Sequence, residues 1–498
     1  MINHTPTDTT EEAAELDQEI DQFELDQIKK KSVSGATSYF IRTIFLNVIG
    51  IATAFVLSGY LTPADFGVYG YVTQFIGLLV FFSDIGLAAS LVQKKDEPEL
   101  IDYQTAFTIQ FVLSILILIA TGGIAVTGIV QRTVGEVGIW LLLALGVSFP
   151  LATLKTVSSI MLERKLLFSK LVLPQIAEQL VFNGLLVWLA IKGMGVMSYT
   201  YAILGRSIIG VIVMFIIKPW PIGIAFNKSS AKALLNFGAK FQLNDFLARL
   251  KDNLFFIVIA RFMTPTQFGY ISWSKQWSMY PYNLTVQNVM AITFPTFSRL
   301  QNNKQALKRA IEKSIFFITL TIFPILVGMS IFVIPLVQVV ERYHKWQPAV
   351  LSLVLFSLGI GWSAISTPLT NTLNAIGQIN TTLKLMLMWT ALTWILTPIA
   401  LYFYGFNGVA VASFVIAFTS LVPMYYVKKI VAINIWDNVW PQLAGAMIMG
   451  SVGWIGLPLW NNNWLMMLAG MLITGCVYIF FTGILGYRKI WSEIKSLR

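Results

Sequence analysis

The sequence predicts an all-α integral membrane protein of about fourteen transmembrane helices, arranged as two parallel-repeat six-helix lobes plus a C-terminal helix pair. Three observations predict it. The 498 residues are 56% hydrophobic and only 12% charged, with a mean hydropathy of +0.70, more apolar surface than a soluble core can bury. A short phrase occurs twice: Leu61-Thr62-Pro63-Ala64-Asp65-Phe66-Gly67 returns as Met263-Thr264-Pro265-Thr266-Gln267-Phe268-Gly269. Each copy sits between two long apolar stretches and follows a Gly-Ala pair, Gly35-Ala36 or Gly238-Ala239. The third observation is the loop-by-loop alternation of basic residues. Duplication of this kind commonly places a substrate site between the halves.

Windows of about 20 residues set the spans in order. The first six are 39–59, 66–92, 106–130, 137–161, 170–190 and 199–218. The next six are 240–262, 269–297, 314–340, 348–373, 383–404 and 408–427, and the chain closes with 440–459 and 464–485. The second and eighth are polar enough for a crude scan to miss. Gly193-Met194-Gly195-Val196 before the sixth span and Gly405-Phe406-Asn407-Gly408-Val409 before the twelfth extend the repeat. Five segments follow: an acidic tail (1–31), an N-lobe (32–218), a linker (219–236), a C-lobe (237–430) and the final pair with its basic end (431–498). An even number of spans per repeat makes the copies parallel. The linker reads as amphipathic, with Trp220, Ile222, Ile224 and Phe226 set against Lys228 and Lys232, and is expected to lie in the cytoplasmic interface.

With both termini cytoplasmic, about 24 basic residues fall on one face and about five (Arg132, Lys192, Arg261, Arg342 and Lys345) on the other, as the positive-inside rule requires. An odd number of spans would scramble that pattern. The net charge of +11 therefore reports orientation in a membrane and calls for no nucleic acid. A single cysteine, Cys476, excludes an intramolecular disulfide and reads as a small apolar side chain buried in its span. Two histidines, His4 and His344, provide neither a metal cluster nor a histidine relay, so no catalytic residue, metal or cofactor is expected. The tail has no apolar signal-peptide core, which leaves the first span to direct insertion.

Several motifs resemble those of the Wzx-type polysaccharide exporters of the multidrug/oligosaccharidyl-lipid/polysaccharide (MOP) superfamily. They are Leu61–Gly67 with Tyr69, Ser83-Asp84-Ile85-Gly86-Leu87, Leu91-Val92-Gln93 and Thr105-Ala106-Phe107. Leu247-Ala248-Arg249 with Asp252-Asn253, and Phe294-Pro295-Thr296-Phe297-Ser298-Arg299-Leu300, belong to the same pattern. The resemblance covers most of 32–430. It implies a V-shaped, MATE-like bundle that moves a polyprenyl-diphosphate-linked oligosaccharide between leaflets of the inner membrane for surface polysaccharide synthesis: O-antigen, capsule, exopolysaccharide or a teichoic-type polymer. It also implies membrane lipids, a polymerase and glycosyltransferases as partners. Leu250-Lys251 interrupts the pattern with an extra positive charge, so substrate details do not carry over.

Such cargo needs a wet, basic cavity, because stripping a hydroxyl of water costs several kcal/mol (roughly 2–7) and stripping a charge far more. Intramembrane charges are therefore the candidates. Gln242, Asp245, Arg249 and Asp252 lie at offsets of about 0, 3, 7 and 10 and share one helix face. Lys251 is set about 100° from Asp252, which leaves it for a diphosphate. A self-satisfied ion network is the alternative reading of this group. The first lobe adds Arg42, which snorkels or faces inward, Asp84, Lys155, Glu178 and Arg206. Lys155 and Glu178 are placed to pair, and Arg206 to meet a cavity or a salt bridge. Gly86 beside Asp84 suggests a close helix contact. The eighth span is unusually polar, with Lys275, Gln276, Tyr280, Asn283 and Gln287, for sugar contacts or for helix–helix hydrogen bonds. Prolines within the spans suit a rocking motion.

Two other classes stay open. A cation-coupled drug or metabolite antiporter shares the bundle but calls for an acidic cavity, whereas basic residues outnumber acids here. A membrane glycosyltransferase needs paired carboxylates in an outer loop, and only Glu136 and Glu341 occur there. No Walker motif is present.

Overall fold

The computed structural model describes residues 42–94, 96–235, 253 and 255–495, and they are helical with no strand. The helices are α1 (Arg42–Tyr60), α2 (Pro63–Asp84), α3 (Leu87–Gln93), α4 (Leu100–Val126), α5 (Ile129–Arg164), α6 (Phe168–Ile191) and α7 (Met197–Ile217). There follow α8 (Pro265–Tyr282), a π turn (Asn283–Gln287), α9 (Asn288–Leu300), α10 (Lys304–Val339) and a 3₁₀ segment (Glu341–Ala349). The chain ends with α11 (Val350–Ala375), α12 (Ile379–Tyr404), α13 (Gly408–Ala417), α14 (Leu421–Ile430), α15 (Ile435–Ile455), α16 (Leu457–Trp460) and α17 (Trp464–Lys495). Nine stretches among the described residues are long and apolar enough to cross a membrane. Helices α2 and α8 fall outside that set, as expected from their polar content, and so does α15, where a thirteenth span was expected.

The breaks have local causes. Between α2 and α3 the chain turns through Ile85 (φ +47) and Gly86 (φ +75). Gly86 is thus a left-handed helix cap, a position that suits a residue without Cβ, and it is buried. Cys476 is exposed on α17 instead of buried. The last two helices were expected to start at 440 and 464; α15 begins earlier, at Ile435, where Asp437 favours the helix N-terminus.

Contacts divide the chain into two compact units: Met1–Thr53 with Ile76–Gln131 and Ile139–Arg249, and Ala54–Phe75 with Arg132–Gly138 and Leu250–Arg498. In the first unit, α6 and α7 pair along their length, and Leu87, Leu91, Phe107, Val157, Ile160 and Trp220 form a core. Arg164 Nη1 donates to the carbonyls of Leu91 (2.6 Å), Val92 (3.1 Å) and Lys94 (2.9 Å), satisfying the open end of α3 with a positive charge. The linker opens as an extended segment. Residues 219–227 are not helical; Trp220 is buried against Phe107, with ring centroids 5.1 Å apart. Thr105 and Thr108 of α4 exchange hydrogen bonds with the backbone of Asn227 and Ala225. From 222 to 226 exposure alternates, with Ile222, Ile224 and Phe226 exposed and Gly223 and Ala225 half-buried, the period of an extended strap.

In the second unit, α10 packs against α11 and α15, α15 against α17, and α11 against α8 and α13. Its core runs along α10 through Ile311, Ile315, Ile318 and Ile322, at the i, i+4 and i+3 spacing of one helix stripe.

Candidate functional site

The repeated phrase is a pair of helix starts. Thr62 is the N-cap of α2: its hydroxyl accepts from the Asp65 amide at 3.2 Å, and Asp65 Oδ2 accepts from the Thr62 amide at 2.8 Å. Thr264 and Gln267 repeat this at the start of α8, at 3.2 and 3.0 Å. Each copy is thus a capping box with Pro at the first helical position, a threonine-x-x-Asp/Gln signal that was present in the sequence and went unread. The glycines serve a second purpose. A Cβ on Gly67 would stand 1.8 Å from the Pro265 carbonyl oxygen, and one on Gly269 would stand 1.7 Å from that of Pro63. The two helix starts therefore touch backbone to backbone, reciprocally, within the second unit.

An aromatic latch joins the same region. Trp273 and Trp346 stack at 4.6 Å and 10°. Trp273 Nε1 donates to the Ser58 hydroxyl at 2.8 Å, and Trp346 Nε1 to the Ser58 carbonyl at 2.7 Å. Lys345 Nζ donates to the Gly59 carbonyl at 2.8 Å. The 3₁₀ segment after α10 thereby grips the end of α1. Both indoles are fully buried with their N–H groups satisfied, the condition for a stable buried tryptophan.

Three of the predicted charges meet in the first unit. Glu178 (α6) is 6% exposed, pairs with Lys155 (α5) and lies 3.5 Å from Arg206 Nε (α7). Gly210 makes the room: a Cβ there would stand 2.2 Å from Glu178 Oε1. One carboxylate holds two cations, so the cluster is net positive. The half-exposed Arg206 guanidinium also lies 5.8 Å from the Phe182 ring.

In the second unit a chamber of about 460 Å³ opens between α8, α11, α12 and α13. Ser363, Ser366, Thr367 and Thr370 line it from α11 at i, i+3, i+4 and i+7, facing Lys275 and Trp389. Their hydroxyls are committed as donors: Ser363 to the Gly359 carbonyl (3.1 Å), Thr367 to Ser363 (2.8 Å) and Thr370 to Ser366 (3.0 Å). A hydroxyl that donates backwards keeps its oxygen lone pairs as acceptors; Thr367 uses one to accept from Tyr282 Oη at 2.9 Å and Ser366 one to accept from the Ser420 hydroxyl at 3.2 Å, and the others remain. The wall thus offers acceptors to a ligand rich in hydroxyl donors, with one ammonium, Lys275, 3.8 Å from the Phe256 ring centroid. No acid lines it among the described residues.

Asn283 and Gln287 do not line this chamber. With Gln276 and Tyr280 they occupy offsets of about 0, 4, 7 and 11 and form one polar face across the π turn. Gln276, Asn283 and Gln287 are exposed, and Gln276 Nε2 donates to Tyr280 Oη at 2.8 Å. Uncharged amides exposed along a membrane helix require water or a polar ligand beside them. Arg42 opens α1 half-buried, and α2 ends at Asp84. Gln242, Asp245, Arg249, Lys251 and Asp252 lie outside the described residues. Sequence reasoning missed the α11 hydroxyls, whose signal was a serine/threonine stripe at helical spacing within an apolar span.

Residues 56–351 match a family described as Polysaccharide biosynthesis protein. The chain belongs to that family. It is 24% identical to the teichuronic acid biosynthesis protein TuaB of Bacillus subtilis (strain 168) over 61% of its own length and 62% of TuaB. It is 21% identical to the lipopolysaccharide biosynthesis protein WzxC of Escherichia coli (strain K12) over 72% of each chain. The matched segment thus spans a little under two thirds of TuaB. Among solved structures, its fold is that of the lipid II flippase MurJ in an inward closed conformation, with TM-score 0.70 and 15% identity over 91% of this chain and 99% of that one. An inward-facing MATE family transporter of the MOP superfamily also shares the fold, with TM-score 0.60 and 14% identity over 77% and 94% of the two chains.

Proposed function

We propose that the chain is a flippase that carries polyprenyl-diphosphate-linked oligosaccharide across the cytoplasmic membrane for surface polysaccharide synthesis. It would work by alternating access, with fourteen spans in two lobes and both termini cytoplasmic. The observation that carries this reading is the acceptor-lined chamber with one ammonium, Lys275, among its described lining residues. Sugar hydroxyls leaving water need acceptors, and the chamber's hydroxyls are already oriented to accept. Lys275 would supply positive charge for the anionic end of such a ligand. Membership of the polysaccharide biosynthesis family supports the cargo class, and the shared fold supports the architecture. The exposed amides of Asn283 and Gln287 fit a hydrated path. Arg249 and Lys251 are proposed as further phosphate contacts and Gln242, Asp245 and Asp252 as their neighbours, with Arg42, Arg206 and Asp84 as secondary candidates. A polymerase and glycosyltransferases are the expected partners.

The lipid tail would take a second cavity, about 340 Å³, lined by Phe55, Trp277, Met329, Met449 and Met471. It touches the final helices α15 and α17 through Met449 and Met471. The antiporter reading lacks a free carboxylate at either described site, since Glu178 already holds two cations.

The test is translocation of fluorescent lipid-linked oligosaccharide in proteoliposomes, read by quenching of the outer leaflet. Lys275→Met should slow it about tenfold, the loss of one charge-assisted contact, and Lys275→Arg should retain most of the rate. An unchanged rate would remove Lys275 from the path.

A further inference from the structure

A basic pocket of about 400 Å³ sits where the N-terminus of α10 meets the end of α14. Lys304, Lys308, Lys428 and Lys429 line it, and no acid does among the described residues. Glu312 lies 4.0 Å from Lys308 and already accepts the Asn434 amide at 2.7 Å. Lys308 is partly matched by Glu312 and Lys429 lies 4.6 Å from the Tyr425 ring centroid, and the four lysines together still leave this open pocket positive, which attracts an anion.

The pocket continues into an apolar groove. Lys428 lines both, and the groove, about 600 Å³, runs between α10, α11, α13 and α15 past Trp436, Trp362 and Phe414. Along α15 it extends from Ile435 to Gly450, roughly 22 Å of helix at 1.5 Å per residue. That exceeds the ~15 Å of hydrocarbon in one leaflet. Charge at the head and an apolar channel below it match an amphiphile with a phosphate head and a long chain.

Two kinds of lipid share that chemistry, a phospholipid and the polyprenyl diphosphate of the proposed cargo. Placement distinguishes them. The chamber uses the face of α11 that carries Gly359, Ser363, Thr367 and Thr370; the groove uses Ser357, Gly361, Trp362 and Ile365. At 100° per residue these faces are about 180° apart. A lipid seated in the groove has α11 and α13 between its chain and the chamber, so its head does not enter the proposed path. We propose that the basic pocket and the groove together form a binding site for an anionic phospholipid of the cytoplasmic leaflet, held as a resident lipid and separate from the transported one.

The test is native mass spectrometry of the full chain in detergent with equimolar dioleoyl phosphatidylglycerol and dioleoyl phosphatidylcholine. The expected result is at least tenfold preferential retention of phosphatidylglycerol, since each lysine at a membrane surface contributes appreciably to anionic lipid binding. The preference should collapse to about threefold or less in the Lys304→Gln/Lys308→Gln/Lys428→Gln/Lys429→Gln variant, whose exposed or half-buried substitutions leave the thermal midpoint intact. Equal retention of the two phospholipids by the wild type overturns the proposal, as does a preference that survives in the variant. Displacement of phosphatidylglycerol by equimolar undecaprenyl diphosphate also overturns it, because the site would then belong to the cargo. The readout is retention and not transport, so its failure is distinct from failure of the flippase reading.

Discussion

Gly269→Ala is expected to abolish most transport, and Gly67→Ala to do the same, because each new methyl would meet a backbone carbonyl oxygen at 1.7–1.8 Å. A flexible side chain could swing aside. A carbonyl at the first residue of a capped, proline-started helix has little freedom to do so. Overpacking of this kind costs about 1–3 kcal/mol and more where the obstacle is rigid. Since the contact is reciprocal, the two substitutions should give similar losses, at least tenfold in transport rate. Gly184→Ala is the control, as its Cβ would meet nothing within 4 Å. Comparable activity of G67A and wild type would show that this contact opens or rearranges without consequence.

Removal of Glu178 is the second large effect. Glu178→Ala leaves Lys155 and Arg206 facing each other without their shared carboxylate, at a site where the acid is almost fully buried. Breaking a buried ion pair from one side costs about 3–5 kcal/mol where the stranded charge stays dry; Lys155 is a quarter exposed and Arg206 half-exposed, so partial hydration lowers the cost here. The expected outcome is a large drop in thermal midpoint and in membrane abundance. Lys155→Met combined with Glu178→Gln should recover part of the loss, because the surviving Arg206 is half-exposed and can hydrate. If the single and double variants were equally damaged, the damage would lie in packing against Gly210 and not in charge. The cluster would then hold α5, α6 and α7 together by shape alone.

The sequence made the membrane class legible because lipid allows few alternatives. Long apolar helices and a one-sided basic pattern carry most of the information, and both survive without an alignment. The polar character of the second and eighth spans, the Lys155–Glu178 pairing and the Arg206 salt bridge were also readable, since buried charges in lipid must find partners. What resisted reading was set by tertiary register. The reason two glycines recur at Gly67 and Gly269 appears only when the helix starts are brought together. Ser58 looks like an ordinary helix serine until two buried indoles are found to use its hydroxyl and its carbonyl. The hydroxyl stripe on α11 was hidden by composition, because serine and threonine in an apolar span usually bond back to their own helix. They do so here, and what faces the chamber is the lone pairs they retain. The apolar residues of the linker alternate with period two, which suits an extended strap, and only the partners on α4 show where that strap is tied down.

The measurement that tests the central claim most directly is the leaflet distribution of lipid-linked oligosaccharide in cells depleted of this protein. The account predicts accumulation on the cytoplasmic leaflet, reversed by the wild-type chain and poorly by Lys275→Met. An unchanged distribution on depletion, accompanied by altered sensitivity to cationic drugs, would contradict it and favour an antiporter.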